Sequence, residues 1–204
     1  MGPVAQYRRS GQTSLTSPHP DFDPPAPNVV VGLGNDIAAD DGVGIATARR
    51  LEIEVGGRAD IEVVALPWAG FALLDALRGR HRAAIIDCLV TGEHLPGTIV
   101  HLDETDLAGS VRLNSFHDIS YPTVMALGRE MGWAMPASIT IWAIEAGTTD
   151  IFSETLSPPV KNAIDQVATE VIEYLSTPLD RQVASQQPRS IPRYKGGRNN
   201  RSTT

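Results

Sequence analysis

The sequence predicts an α/β fold: a three-layer α/β/α sandwich around a mostly parallel, twisted sheet of about five strands. Two observations carry that expectation. Short apolar runs alternate with segments of helical period throughout residues 28–176, the pattern of strands joined by crossover helices. Strand candidates such as Val29-Val30-Val31 and Ala83-Ala84-Ile85-Ile86 are apolar on consecutive residues, which suits strands covered on both faces. The 204 residues, 42% of them hydrophobic, are enough for one domain with a sizeable core.

The elements follow in order. Residues 28–34 read as a strand ending in the glycine turn Gly32-Leu33-Gly34. A helix is expected over 42–55, with Val43, Ile45, Ala46, Ala48, Leu51 and Val55 as its core stripe and Gly56-Gly57 as its end. Residues 61–66 form a second strand, and a short helix over 71–77 closes near Gly79. A third strand spans 83–90, its apolar run broken by the single carboxylate Asp87. Gly92 and Pro96-Gly97 mark a loop before a short strand over 98–102, expected near a sheet edge. A helix over 121–131 carries Pro122 in its first turn, and residues 138–145 make another strand. Ser157-Pro158-Pro159 opens the last helix, with Ser157 as the expected cap. Residues 1–27 are expected to be a disordered leader and 177–204 a basic disordered tail.

Charge is unevenly spread. The chain carries 17 basic and 24 acidic residues, a net −7. The leader is balanced, and the tail holds six basic residues against Asp180. The body between them therefore has 9 basic and 21 acidic residues, or −12. An acidic body argues against a nucleic-acid partner and suits a metal ion or a basic protein surface. The single cysteine, Cys88, excludes an internal disulfide and a cysteine-rich zinc site and fits a cytoplasmic location. No apolar run is long enough to span a bilayer.

The chain is organised around Gly32-Leu33-Gly34-Asn35-Asp36-Ile37-Ala38-Ala39-Asp40-Asp41-Gly42-Val43-Gly44. It reads as a strand end, a tight turn and an acidic helix entry. In open α/β sheets, ligands bind beyond the carboxyl ends of the strands. A dinucleotide site would need a third glycine where Ile37 stands, and a phosphate loop would need Gly-Lys-Ser/Thr. Two adjacent acids favour a cation instead. An ordinary helix-capping role is the alternative for Asp40.

Two more groups join this loop as candidates. Asp87 sits near the carboxyl end of its strand, where a carboxylate is costly unless paired, hydrated or metal-bound; reaching solvent or capping a loop is the alternative. The first and third strands of such folds are commonly neighbours, which would bring Asp87 beside Asp40-Asp41. His117 precedes a helix in the loop layer; an exposed or capping histidine is its alternative. Two carboxylates and an imidazole suit a divalent transition ion. Three protein ligands leave coordination positions open, as catalytic sites do. Cys88 points to the other strand face from Asp87 and reads as a core residue. His19, His81, His94 and His101 have no companion motif.

Four stretches in order resemble the hydrogenase maturation proteases, endopeptidases that trim the C-terminus of [NiFe]-hydrogenase large subunits. They are Gly32-Leu33-Gly34-Asn35 through Asp40-Asp41-Gly42-Val43-Gly44; Ile85-Ile86-Asp87 with Pro96-Gly97-Thr98; Ser115-Phe116-His117-Asp118 before a helix with Leu127-Gly128; and Ile144-Glu145 with Leu156-Ser157-Pro158-Pro159-Val160. The resemblance covers roughly residues 28–176. It implies that Asp41, Asp87 and His117 are the metal-contacting and catalytic residues. Phe116 stands where the family often has proline. It also implies that the nickel is not a resident cofactor. The nickel is supplied by the partner, the large-subunit precursor, and is recognised before cleavage near its last metal-binding cysteine motif. Either a carboxylate acts as general base or the metal activates water or polarises the scissile carbonyl. Gly32, Gly34 and Asn35 would shape the loop, with Asp40, Asp36 and Asp118 as supporting groups. Two other readings use the same ligands: a non-proteolytic nickel-binding or hydrogenase-subunit escort protein, and a small-molecule metallohydrolase.

Overall fold

The structure is a computed structural model that describes residues 25–103, 106 and 121–178. Five strands form one sheet: β1 (Asn28–Leu33), β2 (Ile61–Leu66), β3 (Arg82–Leu89), β4 (Ile99–Leu102) and β5 (Ser138–Glu145). Their order is β2-β1-β3-β5-β4. Pairing is parallel except at β4, which runs antiparallel to β5 at one edge. The expected edge strand and the expected β1–β3 neighbourhood are both present.

Four α-helices cover the sheet among the described residues: α1 (Val43–Glu54), α2 (Phe71–Leu77), α3 (Tyr121–Glu130) and α4 (Pro158–Ser176). The pleat divides the core in two. Val29, Val31, Ile85 and Ile141 pack with α2 and α3 on one face. Val30, Ala84, Ile86 and Ile144 pack with α1 and α4 on the other. This alternation gives each central strand two apolar faces, and β1 and β3 are buried along their whole length. The stripe expected of α1 is buried at Val43, Ile45, Ala48, Leu51 and Val55, whereas Ala46 is only half-buried.

Helix α4 is held at both ends by buried charge. Asp40 binds Ser157 at its amino end. At its carboxyl end the buried Arg82 guanidinium donates to the carbonyls of Tyr174, Leu175 and Thr177. An anion at the start and a cation at the end both complement the helix dipole. The expected leader and tail fall mostly outside the described residues, as does the polar stretch before α3. No helix among the described residues is long and apolar enough to cross a membrane.

Candidate active site

Asp87 is the deepest carboxylate of the sheet. It lies two residues before the end of β3, opposite Ala143 of β5, and is fully buried. Burial excludes the alternative in which it simply reaches solvent. One oxygen, Oδ1, accepts the Cys88 N–H at 2.7 Å.

Asp41 reaches the same place through glycine packing. It lies in a 3-10 turn, Ala39–Gly42, that precedes α1, so the helix proper starts one residue later than expected. Gly44 packs against the ends of β1 and β3: a Cβ there would stand 2.1 Å from the Leu33 carbonyl oxygen and 2.5 Å from that of Ile86. Only a glycine lets the helix start sit over these two strand ends. The turn therefore lies beside the residue that follows Ile86, which is Asp87. Gly34 adopts φ +138°, and its missing Cβ makes room for the Asp41 carbonyl. The Asn35 N–H donates to Asp41 Oδ2 at 2.9 Å, and Asp41 is buried. Gly34 and Asn35 thus shape the loop as expected.

Cys88 reports on this convergence. Burial pushes its thiol well above the usual range, and the charges of Asp87, Asp41, Asp40 and Glu145 push it the same way. Four carboxylates from three segments act on one sulfur. The thiol stays protonated and belongs to the core on the α1–α4 face, since a metal ligand would need the thiolate.

Asp40 has a different task from the one its position suggests. Its carboxylate is fully buried, yet it caps no amide of its own helix. Oδ2 accepts the N–H groups of Gly147 and Thr148, at 2.8 and 3.1 Å. Ser157 donates its N–H to Oδ1 at 2.6 Å and its hydroxyl to Oδ2 at 2.9 Å. The expected capping hydroxyl of Ser157 is therefore spent on Asp40, and it makes no side-chain cap. The Ala39 N–H donates to the Ser153 carbonyl and the Ser153 N–H to that of Ile37, completing the seam between the two loops. Asp36, by contrast, is exposed and pairs with Arg49 at 2.8 Å.

Glu145 was not singled out as a side chain with a task. It is buried at the end of β5 and accepts the Thr91 N–H at 2.8 Å, the Thr91 hydroxyl at 2.6 Å and the Gly92 N–H at 2.7 Å. The signal was available: it is a carboxylate closing an apolar strand, as Asp87 is.

His117 and Asp118 lie outside the described residues. Among the described residues, no three His, Cys, Asp or Glu side chains converge on one metal position. Helix α3, which begins four residues after His117 in sequence, has its carboxyl end at the amino edge of the sheet. There the Gly79 N–H donates to the Ala134 carbonyl and the Ala137 N–H to that of His81.

Comparisons with known proteins agree with this architecture. The chain is 22% identical to the hydrogenase-maturating endopeptidase HybD of E. coli, with a TM-score of 0.58 over 72% of this chain and 91% of that one. A [NiFe] hydrogenase maturation protease HybD from Thermococcus kodakarensis superposes with a TM-score of 0.55 at 24% identity, over 74% and 99% of the two chains. These likenesses are of fold. In sequence, the hydrogenase expression/formation protein HupD of Rhodobacter capsulatus is 25% identical over 149 residues, 72% of this chain and 70% of its own. The model of the family described as hydrogenase maturation protease (HycI) matches residues 45–174, a span that holds Asp87 and His117 and starts just past Asp41. The match runs over most of the sheet and its helices, and on it the chain belongs to the hydrogenase maturation protease family.

Proposed function

We propose that this hydrogenase maturation endopeptidase removes the C-terminal extension of a [NiFe]-hydrogenase large-subunit precursor after nickel insertion. Asp41, Asp87 and His117 contact the nickel, which arrives as part of the substrate. The observation that carries the reading is the buried Asp87 at the carboxyl edge, packed beside the loop that holds Asp41. Such a carboxylate is costly in an apolar strand, and a cation brought by a substrate offsets that cost. An ion held beside the scissile bond supplies charge stabilisation for the carbonyl under attack.

The chain's own residues set the geometry. The Asn35 amide orients Asp41, the Cys88 amide orients Asp87, and the glycines of the loop keep the two segments in contact. Asp41 and Asp87 lie close enough, with Asp40 and Glu145, to act on the same Cys88 thiol, so negative charge is concentrated there. That field suits a divalent ion whose other ligands come from the precursor.

The test is cleavage of nickel-loaded and nickel-free precursor in parallel, with mass spectrometry reading the new C-terminus. Cleavage of the loaded form alone is expected. Asp41→Asn, Asp87→Asn and His117→Ala should each lower kcat/KM by about a hundredfold or more. Equal cleavage of both forms would reject nickel recognition. Binding without cleavage by the unaltered chain would favour the escort reading.

A further inference from the structure

The carboxyl edge also carries most of the large exposed hydrophobic side chains among the described residues. Large hydrophobic side chains exposed there among the described residues include Ile37, Trp68, Phe71, Leu95, Ile151 and Phe152. They follow β1, β2, β3 and β5, the four parallel strands. Away from this edge, only Ile53 and Met131 are comparably exposed among the described residues. Such clustering on one side of a monomer marks an interaction surface.

Two features say what covers it. The first is rigidity. Phe152 is 92% exposed, yet its loop is fixed on both sides of it. Thr148 is bound by Asp40, and Ser153 is paired with Ile37 and Ala39. With the backbone fixed on both sides, only the Phe152 side chain is left for a partner to order, which suits it as an anchor. The second is charge. The four loops, residues 34–42, 67–70, 90–98 and 146–157, contain six acids and no lysine or arginine. Asp36 is matched by Arg49 from α1, whereas Glu93, Asp150 and Glu154 are exposed with no cation against them among the described residues.

We infer that this edge docks a folded protein partner, the precursor itself, through Trp68 and Phe152 seated on an apolar patch bordered by basic residues. The inference rests on the protease reading above and adds where the substrate's body is gripped, apart from the groups at the scissile bond. Trp68 and Phe152 act in binding, so their loss raises KM and leaves the chemical step alone. The acidic collar speeds encounter and sharpens partner choice.

Steady-state cleavage of nickel-loaded precursor by the full chain tests this. Phe152→Ala and Trp68→Ala should each raise KM by about tenfold or more, with kcat within about twofold of the unaltered chain. Ile53→Ala, equally exposed but off the edge, should change neither. The double variant Asp150→Asn/Glu154→Gln should lose part of the rise in KM between about 50 and 500 mM salt. Since both aromatics are exposed, unchanged thermal midpoints will show that the fold is intact. Unchanged KM in both aromatic variants, with cleavage proceeding, would overturn the docking surface and leave the protease reading standing. No cleavage by the unaltered chain would overturn both.

Discussion

Asp40 and Asp41 are adjacent, both buried, and separated in task by what surrounds each carboxylate. Asp40 is saturated by four donors from the loop between β5 and α4. A carboxylate so occupied has little left for a substrate, and it sets where Asp41 and Phe152 stand. Asp40→Ala leaves three partly buried N–H groups and a hydroxyl without their acceptor. It should lower unfolding stability by about 2–4 kcal/mol, read from the denaturant midpoint. Asp41→Asn should leave stability nearly unchanged while abolishing cleavage. If Asp40→Ala costs less than about 1 kcal/mol, the loop is held by other contacts. The sequence showed that this acidic pair mattered, but not which member does which. Asp40 is held by Gly147, Thr148 and Ser157, more than a hundred residues away in sequence, whereas Asp41 accepts from the nearby Asn35.

At the scale of elements, the decisive contact is between the first turn of α1 and the ends of β1 and β3. Gly44 meets two strand carbonyls, and Gly32 meets the Gly44 carbonyl at 2.2 Å from where its own Cβ would be. Gly44→Ala forces the helix off the sheet. The expected cost is about 1–3 kcal/mol of stability, the usual range for overpacking. Because the shift separates Asp41 from Asp87, kcat should fall further than the stability loss alone explains. Calorimetry beside single-turnover cleavage separates the two effects. Full activity in a folded Gly44→Ala chain would show that the spacing of the two carboxylates is not critical. Element positions were largely legible beforehand because strand and helix signals are local: β2, α2 and β5 match their expected bounds. What local pattern could not supply was contact across the fold. Ser157 reads as a cap from its neighbours and becomes a ligand of Asp40 only once α4 is packed. His117 stands out in the sequence from its place before a helix and from the resemblance, and it lies outside the described residues.

For the molecule as a whole, the gathering of acids at one edge has a consequence for stability against pH. Cys88 is fully buried, and burial first, then the charges of Asp87, Asp41, Asp40 and Glu145, hold its thiol protonated far above its ordinary value of 9.0. In the unfolded chain the same thiol ionises above that value. Above pH 9 the unfolded state therefore binds fewer protons than the folded state. The contribution is fully present below pH 9, and stability falls as pH rises beyond it. Cys88→Ala removes the ionisable group while leaving a small side chain in the same apolar wall. The variant starts somewhat less stable at neutral pH, through lost packing. The gap between it and the unaltered chain should narrow by roughly 1 kcal/mol from pH 9 to 10. Lysine and tyrosine titrations are common to both chains and cancel in the difference, which isolates the thiol. Urea unfolding of both proteins across pH 7–10.5 measures it. A gap that stays constant across that range would mean that the sulfur ionises as freely in the folded chain as in the unfolded one. The carboxylates would then not act together on the Cys88 thiol, and the negative field invoked for Asp41 and Asp87 would lose its support.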